Sequence, residues 1–67
     1  MKDKERLSKI LKKREEYLID KIRYLIKRMR KGLKNKNFME VKTYAEIIEE
    51  YSSRILEVYT IKEVIKN

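Results

Sequence analysis

The chain has 67 residues and a net charge of +8, and it contains no cysteine, histidine, tryptophan or proline and only one glycine. Disulfides and thiolate metal sites are excluded, and a chain this short rarely buries enough apolar surface to be stable without a partner. The lack of helix breakers favours helices over a sheet. A charged fraction of 45% with few amides is typical of heat-adapted proteins, so we expect a thermophilic source.

The first predicted element is an amphipathic helix from about Asp3 to about Asn35, on the order of 50 Å long. Gly32, near its end, allows either a close helix contact or a loosened last turn. Apolar residues recur along this segment at steps of three and four, which places them on one side of a helix. They are Leu7, Leu11, Leu18, Ile22, Leu25, Met29 and Leu33.

A short turn at residues 35–37 follows. Asn35 and Asn37 both tolerate the left-handed conformation that ends a helix, and Asn37 with Glu40 fits a capping box that opens the next helix. A connection of this length predicts that the two helices are antiparallel neighbours.

The second predicted helix runs from about Phe38 to about Ile65. With the first it gives an all-α fold, an antiparallel two-helix hairpin that forms one domain over residues 1–67. Its central apolar stripe consists of Val41, Tyr44, Ile48, Tyr51, Ile55 and Tyr59.

The apolar arcs of both helices are about twice as wide as one helix partner can cover, since a core-facing stripe is usually somewhat over 100° wide. The flanks add Ile10, Tyr17 and Tyr24 on one side of the first helix and Ile19 and Ile26 on the other. We therefore expect copies of the chain to associate. The residues predicted to mediate this are Leu18, Ile22, Leu25, Met29, Tyr44, Ile48, Tyr51, Ile55 and Tyr59, with the acidic Glu46, Glu49 and Glu50.

Charge divides the chain into unlike halves. Residues 1–36 have a net charge of +10 and residues 37–67 a net charge of −2. Lys21–Phe38 contains eight basic residues and no acidic one. Part of this charge complements the helix dipole, but a row of this size also attracts the phosphates of lipid or nucleic acid. The predicted contacts are Arg23, Lys27, Arg30, Lys31 and Lys34.

The sequence gives no indication of catalysis. Ser52 and Ser53 have no histidine to activate them, and the cluster around Glu49 lacks the histidine of helix-bundle metal sites. The five tyrosines lie at helical spacing on the apolar sides of the helices, which fits core or interface positions better than platforms for base stacking. We expect no enzyme activity, cofactor, metal or small-molecule substrate.

No apolar run reaches the roughly 20 residues of a membrane span, and the charged first residues do not form a secretory signal. We expect a cytoplasmic protein, peripheral on the inner face of the cell membrane if it binds lipid.

The segment "ILKKREEYLIDKIRYLIKRMRKGLKNKNFMEVKTYAEIIEEYSSRILEVY" resembles the N-terminal helical hairpin of ESCRT-III proteins, most of all the archaeal cell-division (CdvB) branch. The likeness lies in the basic first helix, the turn "KNKNF", and the pair Tyr44–Ala45 followed by Glu46. Ser52 and Ser53 depart from it, since the family usually has basic residues there, and the family's later helices have no counterpart. The resemblance implies a filament subunit that remodels membranes or acts in cell division.

Three functions remain open at this point. The first is an ESCRT-III-like subunit that polymerises on anionic membranes, with the basic row of one copy near the acidic face of the next. The second is a dimeric nucleic-acid-binding hairpin of viral or plasmid type. The third is a structural bundle whose charge only keeps it in solution.

Overall fold

The computed structural model describes residues 2–66 as two antiparallel helices, α1 (Lys2–Lys34) and α2 (Phe38–Lys66). The hairpin measures 52 × 14 × 12 Å, and the described residues contain no strand. The all-α hairpin is confirmed, and both helices begin and end within one residue of the predicted bounds. The predicted domain limits at residues 1 and 67 lie outside the described residues.

The helices meet along a seam, the line of side chains on each helix that faces the other. Seam residues alternate at steps of three and four, the heptad spacing of a coiled coil. Each residue reached by these alternating steps is buried or half-buried. On α1 the seam consists of Leu11, Glu15, Leu18, Ile22, Leu25, Met29 and Gly32; on α2 it consists of Val41, Tyr44, Ile48, Tyr51, Ile55, Val58, Lys62 and Ile65.

Three positions of the predicted stripes are wrong, the first being Leu7, which is 40% exposed. Leu33 is 49% exposed, and Gly32 occupies the seam in its place. Tyr59 is 54% exposed, whereas its neighbour Val58, which is not in the predicted stripe, is buried in the seam. At Leu33 and Tyr59 the predicted stripe takes two consecutive steps of four residues. Such steps move the stripe around the helix and away from its partner, whereas the seam keeps an average repeat of 3.5 residues.

The turn closes α1 with a Schellman motif. The amide of Asn37 donates to the carbonyl of Gly32 at 2.8 Å, and the amide of Lys36 donates to that of Leu33 at 3.1 Å. The left-handed residue is Lys36, with φ of 58°, and not Asn35 or Asn37 as predicted. The motif fixes this position by its hydrogen bonds, although asparagine would tolerate the conformation better.

Asn37 caps α2. Its side-chain oxygen accepts a hydrogen bond from the Glu40 amide at 3.3 Å, as predicted. The return contact differs from a capping box, because the Glu40 carboxylate accepts from the Asn37 side chain at 2.8 Å instead of from its backbone. The Asn37 backbone amide is already used in the Schellman motif.

Polar contacts join the two helices at two positions along the length of the hairpin. Near the turn, the Arg28 guanidinium donates to the Tyr44 hydroxyl at 3.2 Å and lies 3.7 Å from the Glu40 carboxylate. The bond to Tyr44 raises the pKa of Arg28 above its ordinary value. Towards the open end, Lys62 donates to Glu15 at 3.2 Å, and both seam side chains are half-buried.

Candidate functional site

Two broad faces flank the seam, and the Arg28–Glu40 contact identifies which flanks of the two helices share a face. Both residues come directly before a seam residue, Met29 in α1 and Val41 in α2. Side chains that precede a seam residue therefore line one face, here named the Arg28 face. Side chains that directly follow a seam residue, such as Ile26 after Leu25, lie on the opposite face, here named the Ile26 face.

The Ile26 face is apolar along its middle. Ile19 and Ile26 are half-buried by their own hairpin, while Phe38 and Leu56 are both 64% exposed. The Arg28 face also has exposed apolar side chains, but charged residues such as Arg14, Lys21 and Arg54 lie close to its seam. Residues close to the seam on the Ile26 face, from the turn to its middle, are Ile19, Ile26, Leu33, Phe38, Ala45 and Ser52; further towards the open end the same lines carry Lys12 and Tyr59.

The outer edge of α1, which points away from α2, is basic. All five residues predicted to bind an anionic surface lie on it and are exposed. None makes an ion pair or side-chain hydrogen bond with another residue of the described chain, so their charge is not neutralised internally. These residues are Arg23, Lys27, Arg30, Lys31 and Lys34.

Large apolar side chains are exposed at the turn end, among lysines. Phe38 is 64% and Met39 78% exposed, and Leu33 lies just before the turn. Three exposed lysines lie on either side of Leu33 and before Phe38 in the sequence: Lys31, Lys34 and Lys36. The nearest carboxylate, that of Glu40, is paired with Arg28 and Asn37. Sequence reasoning identified Lys31 and Lys34 but missed Lys36, and it missed Phe38 and Met39, which precede the apolar stripe of α2.

The outer edge of α2 is acidic, with Glu46, Glu49 and Glu50 all exposed. Only one of the three makes an ion pair with a described residue: Glu50 accepts from Arg54 at 2.7 Å, one turn along the helix. Within the described residues, no three carboxylates converge into a set that could hold a metal ion.

The residues predicted for self-association fall into three groups. Leu18 and Leu25 are buried within the hairpin, so assigning them to contacts between copies is wrong. Tyr59 is exposed on the Ile26 face, and the three glutamates are exposed on the edge of α2. The remaining residues are half-buried in the seam: Ile22, Met29, Tyr44, Ile48, Tyr51 and Ile55.

The tyrosines divide between the interior and the surface. Tyr44 and Tyr51 are half-buried in the seam, as expected. Tyr17 and Tyr24 are exposed on the flank of α1, and Tyr17 lies beneath Arg14, whose guanidinium is 5.3 Å from the ring centre. Tyr17 is therefore placed to make cation–π contacts within its own helix.

Comparison with models of known protein families, with curated proteins and with solved structures finds no match. Over residues 2–66, neither helix has an apolar stretch of the length that crossing a bilayer requires.

Proposed function

We propose that this hairpin is a non-catalytic assembly subunit that binds anionic membranes through its turn end and the outer edge of α1. The observation that supports this most directly is the set of exposed apolar side chains at the turn, Leu33, Phe38 and Met39, beside lysines. An anionic bilayer offers a partner to both kinds of group, since lysines attract its headgroups and apolar side chains enter its interface.

Nucleic acid would attract only part of this surface. Phosphates would bind Lys31, Lys34 and Lys36, but leave Phe38 and Met39 without an apolar environment. Near an anionic membrane, each lysine contributes about 1 kcal/mol and burial of a side chain the size of Phe38 about 1.5–3 kcal/mol. Several weak contacts of this kind give reversible binding at the surface.

Assembly is the second half of the proposal, and it follows the ESCRT-III resemblance. The basic edge of α1 and the acidic edge of α2 attract each other between copies, and contacts between unlike surfaces generate filaments unless they close into a ring. Exposed ion pairs contribute only about 0–1 kcal/mol each, so charge sets the direction of assembly and apolar contacts supply most of the affinity. A role in membrane remodelling or cell division, on the inner face of the cell membrane, belongs to this proposal.

Sedimentation of the chain with vesicles of phosphatidylserine and phosphatidylcholine tests the membrane half. We expect binding that falls with salt and is lost in Lys31→Glu/Lys34→Glu and, separately, in Phe38→Ser/Met39→Ser. The matched control is Ile61→Ser/Val64→Ser, which removes two exposed apolar side chains at the other end of α2. This control should bind like the original chain.

The outcomes separate the alternatives. Binding that needs the lysines but not Phe38 or Met39, and that duplex DNA abolishes by competition, would favour the nucleic-acid function. No binding to either would leave only a structural bundle. For assembly, electron microscopy should show that Glu49→Lys/Glu50→Lys shortens polymers on vesicles, and that reversing Lys27 and Arg30 as well partly restores them.

A further inference from the structure

We propose that two copies of this hairpin pair through their Ile26 faces, around a two-fold axis parallel to the helices, into an antiparallel four-helix bundle. The inference deepens the self-association in the proposed function, because it names the surface, the partner and the relative orientation. It concerns the chain in solution and does not depend on membrane binding.

The Ile26 face is better suited to a second copy than the Arg28 face. From the turn to its middle, the side chains nearest its seam are uncharged, including Ile19, Ile26 and Leu33 from α1. From α2 they include Ala45 and Ser52, whose small size lets another helix approach. Over the same stretch, the equivalent line on the Arg28 face has the apolar Ile47 but otherwise carries charges, several of them already paired within the hairpin: Lys21, Arg28, Glu40 and Arg54.

The charges that border the Ile26 face are basic on the α1 side apart from Glu16, and acidic on the α2 side apart from Lys42. Arg23 and Lys9 follow the α1 side, and Glu49 and Glu63 follow the α2 side. All four are exposed, and none makes an ion pair with a described residue. Within one hairpin these residues lie on opposite outer borders, so they cannot reach each other.

Opposite charges also lie at matching heights along the hairpin. The close approach of Gly32 to Val41 and the hydrogen bond between Arg28 and Tyr44 agree, within one residue, on which positions of the two helices lie level, and Arg28 is taken with Tyr44. Counting five residues from each brings Arg23 level with Glu49, and fourteen more bring Lys9 level with Glu63. A basic border residue therefore stands opposite an acidic one at two separate heights.

This register selects the symmetry axis. An axis parallel to the helices keeps every residue at its height and lays α1 of one copy against α2 of the other. Arg23 then meets Glu49, and Lys9 meets Glu63, each pair occurring twice because a two-fold contact is reciprocal. An axis across the helices would instead lay α1 on α1, where like charges repel each other. Two border residues do not fit this pairing, since Arg30 lies level with Lys42 and Glu16 lies level with Leu56 in the favoured arrangement.

The chosen axis has a consequence for the proposed function. Both turns lie at the same end of the bundle, so the exposed Lys36 and Met39 of the two copies face one surface there, whereas Phe38 borders the interface between the copies. Two tips on a rigid body bind that surface more tightly than one, because the second contact forms at high effective concentration. The outer edges with Lys27 and Glu46 remain exposed for further assembly.

Sedimentation equilibrium without lipid tests whether the dimer forms. We expect a dimer at micromolar concentration, and at least a tenfold weaker association for Ile26→Asp. The matched control is Ile10→Asp on the Arg28 side of α1, which should leave the dimer intact. Circular dichroism at high concentration shows whether each variant is still helical. A monomeric original chain, or equal loss in both variants, would overturn the inference.

Charge reversal tests the register. Arg23→Glu should weaken the dimer several-fold, and adding Glu49→Arg should restore it. Adding Glu57→Arg, at another height and on the other side of α2, should not. Rescue by both, or by neither, would contradict the proposed pairing.

A spin label tests the axis. The chain has no cysteine, so Asn35→Cys carries a single nitroxide beside the turn. Pulsed electron–electron double resonance should give a distance between the two nitroxides of the dimer well under half the 52 Å length of the hairpin. A distance close to that full length would put the turns at opposite ends and overturn the parallel axis. Because no lipid is present, these results stand apart from success or failure of membrane binding.

Discussion

At the middle of the seam, Leu18 is completely buried in a cluster with Leu11 and Val58. At the turn end the same seven-residue repeat, which places leucine at 11, 18 and 25, places Gly32. A Cβ built on Gly32 would lie 3.0 Å from the Val41 side chain and 3.5 Å from the Asn37 carbonyl oxygen. The helices therefore lie too close for a leucine where the chain reverses.

The difference shows that two mechanisms hold one seam together. Apolar burial holds the middle, where few side chains are fully enclosed because each helix covers only one side of the other. Backbone hydrogen bonds and a cap hold the turn end, where Gly32, Lys36 and Asn37 adopt a single closed arrangement. Substitutions at the two regions should therefore differ in size and in cause.

The largest effect is expected in the middle. Leu18→Ala should lower the free energy of unfolding by about 2–5 kcal/mol, because it removes buried methyl groups and leaves a cavity. Urea denaturation followed by circular dichroism measures this. The control Ile10→Ala, at a side chain that is 56% exposed, should change stability by less than about 0.5 kcal/mol. Equal losses would mean that the seam is not the main source of stability.

At the turn end, a larger side chain should be harmful. Gly32→Leu should destabilise the hairpin by about 1–3 kcal/mol, since Val41 and the Asn37 carbonyl leave no room for it. The double variant Gly32→Leu/Val41→Ala should recover part of the loss, as thermal unfolding would show. A more stable Gly32→Leu variant would mean that the helices are further apart at the turn.

The cap should contribute less. Asn37→Ala should lower stability by about 1 kcal/mol, because it removes the acceptor for the Glu40 amide. Asn35→Ala is the matched control, since the Asn35 side chain makes no hydrogen bond to the described residues. Hydrogen exchange of the first amides of α2 should speed up only in the Asn37 variant; the same change in both would refute the cap.

The smallest effect should be a gain. Lys36 is left-handed, a conformation that costs an ordinary residue about 1–2 kcal/mol and that glycine adopts freely. Glycine loses more chain entropy on folding, so Lys36→Gly should stabilise the hairpin by only up to about 1 kcal/mol. Lys34→Gly, inside α1, should destabilise it. A loss in both would show that the Schellman motif does not form in solution.

Much of this arrangement could be predicted from the sequence, but not its details. The hairpin, both helix bounds and the Asn37 cap follow from local patterns that act within a few residues. Val58 and Tyr59 are adjacent and both apolar, so periodicity alone could not tell which one is buried. The sequence also leaves open whether Gly32 packs against α2 or loosens the last turn of α1, because close packing there depends on the position of Val41.

The sequence by itself determined two long helices, a short turn and a basic first half against an acidic second half, because helix propensity and charge are properties of neighbouring residues. Only the tertiary structure decided which flanks share a face and which charges lie level. Those relations depend on the rotation and height of one helix against the other, and these are set by contacts such as Arg28 with Tyr44 and Gly32 with Val41.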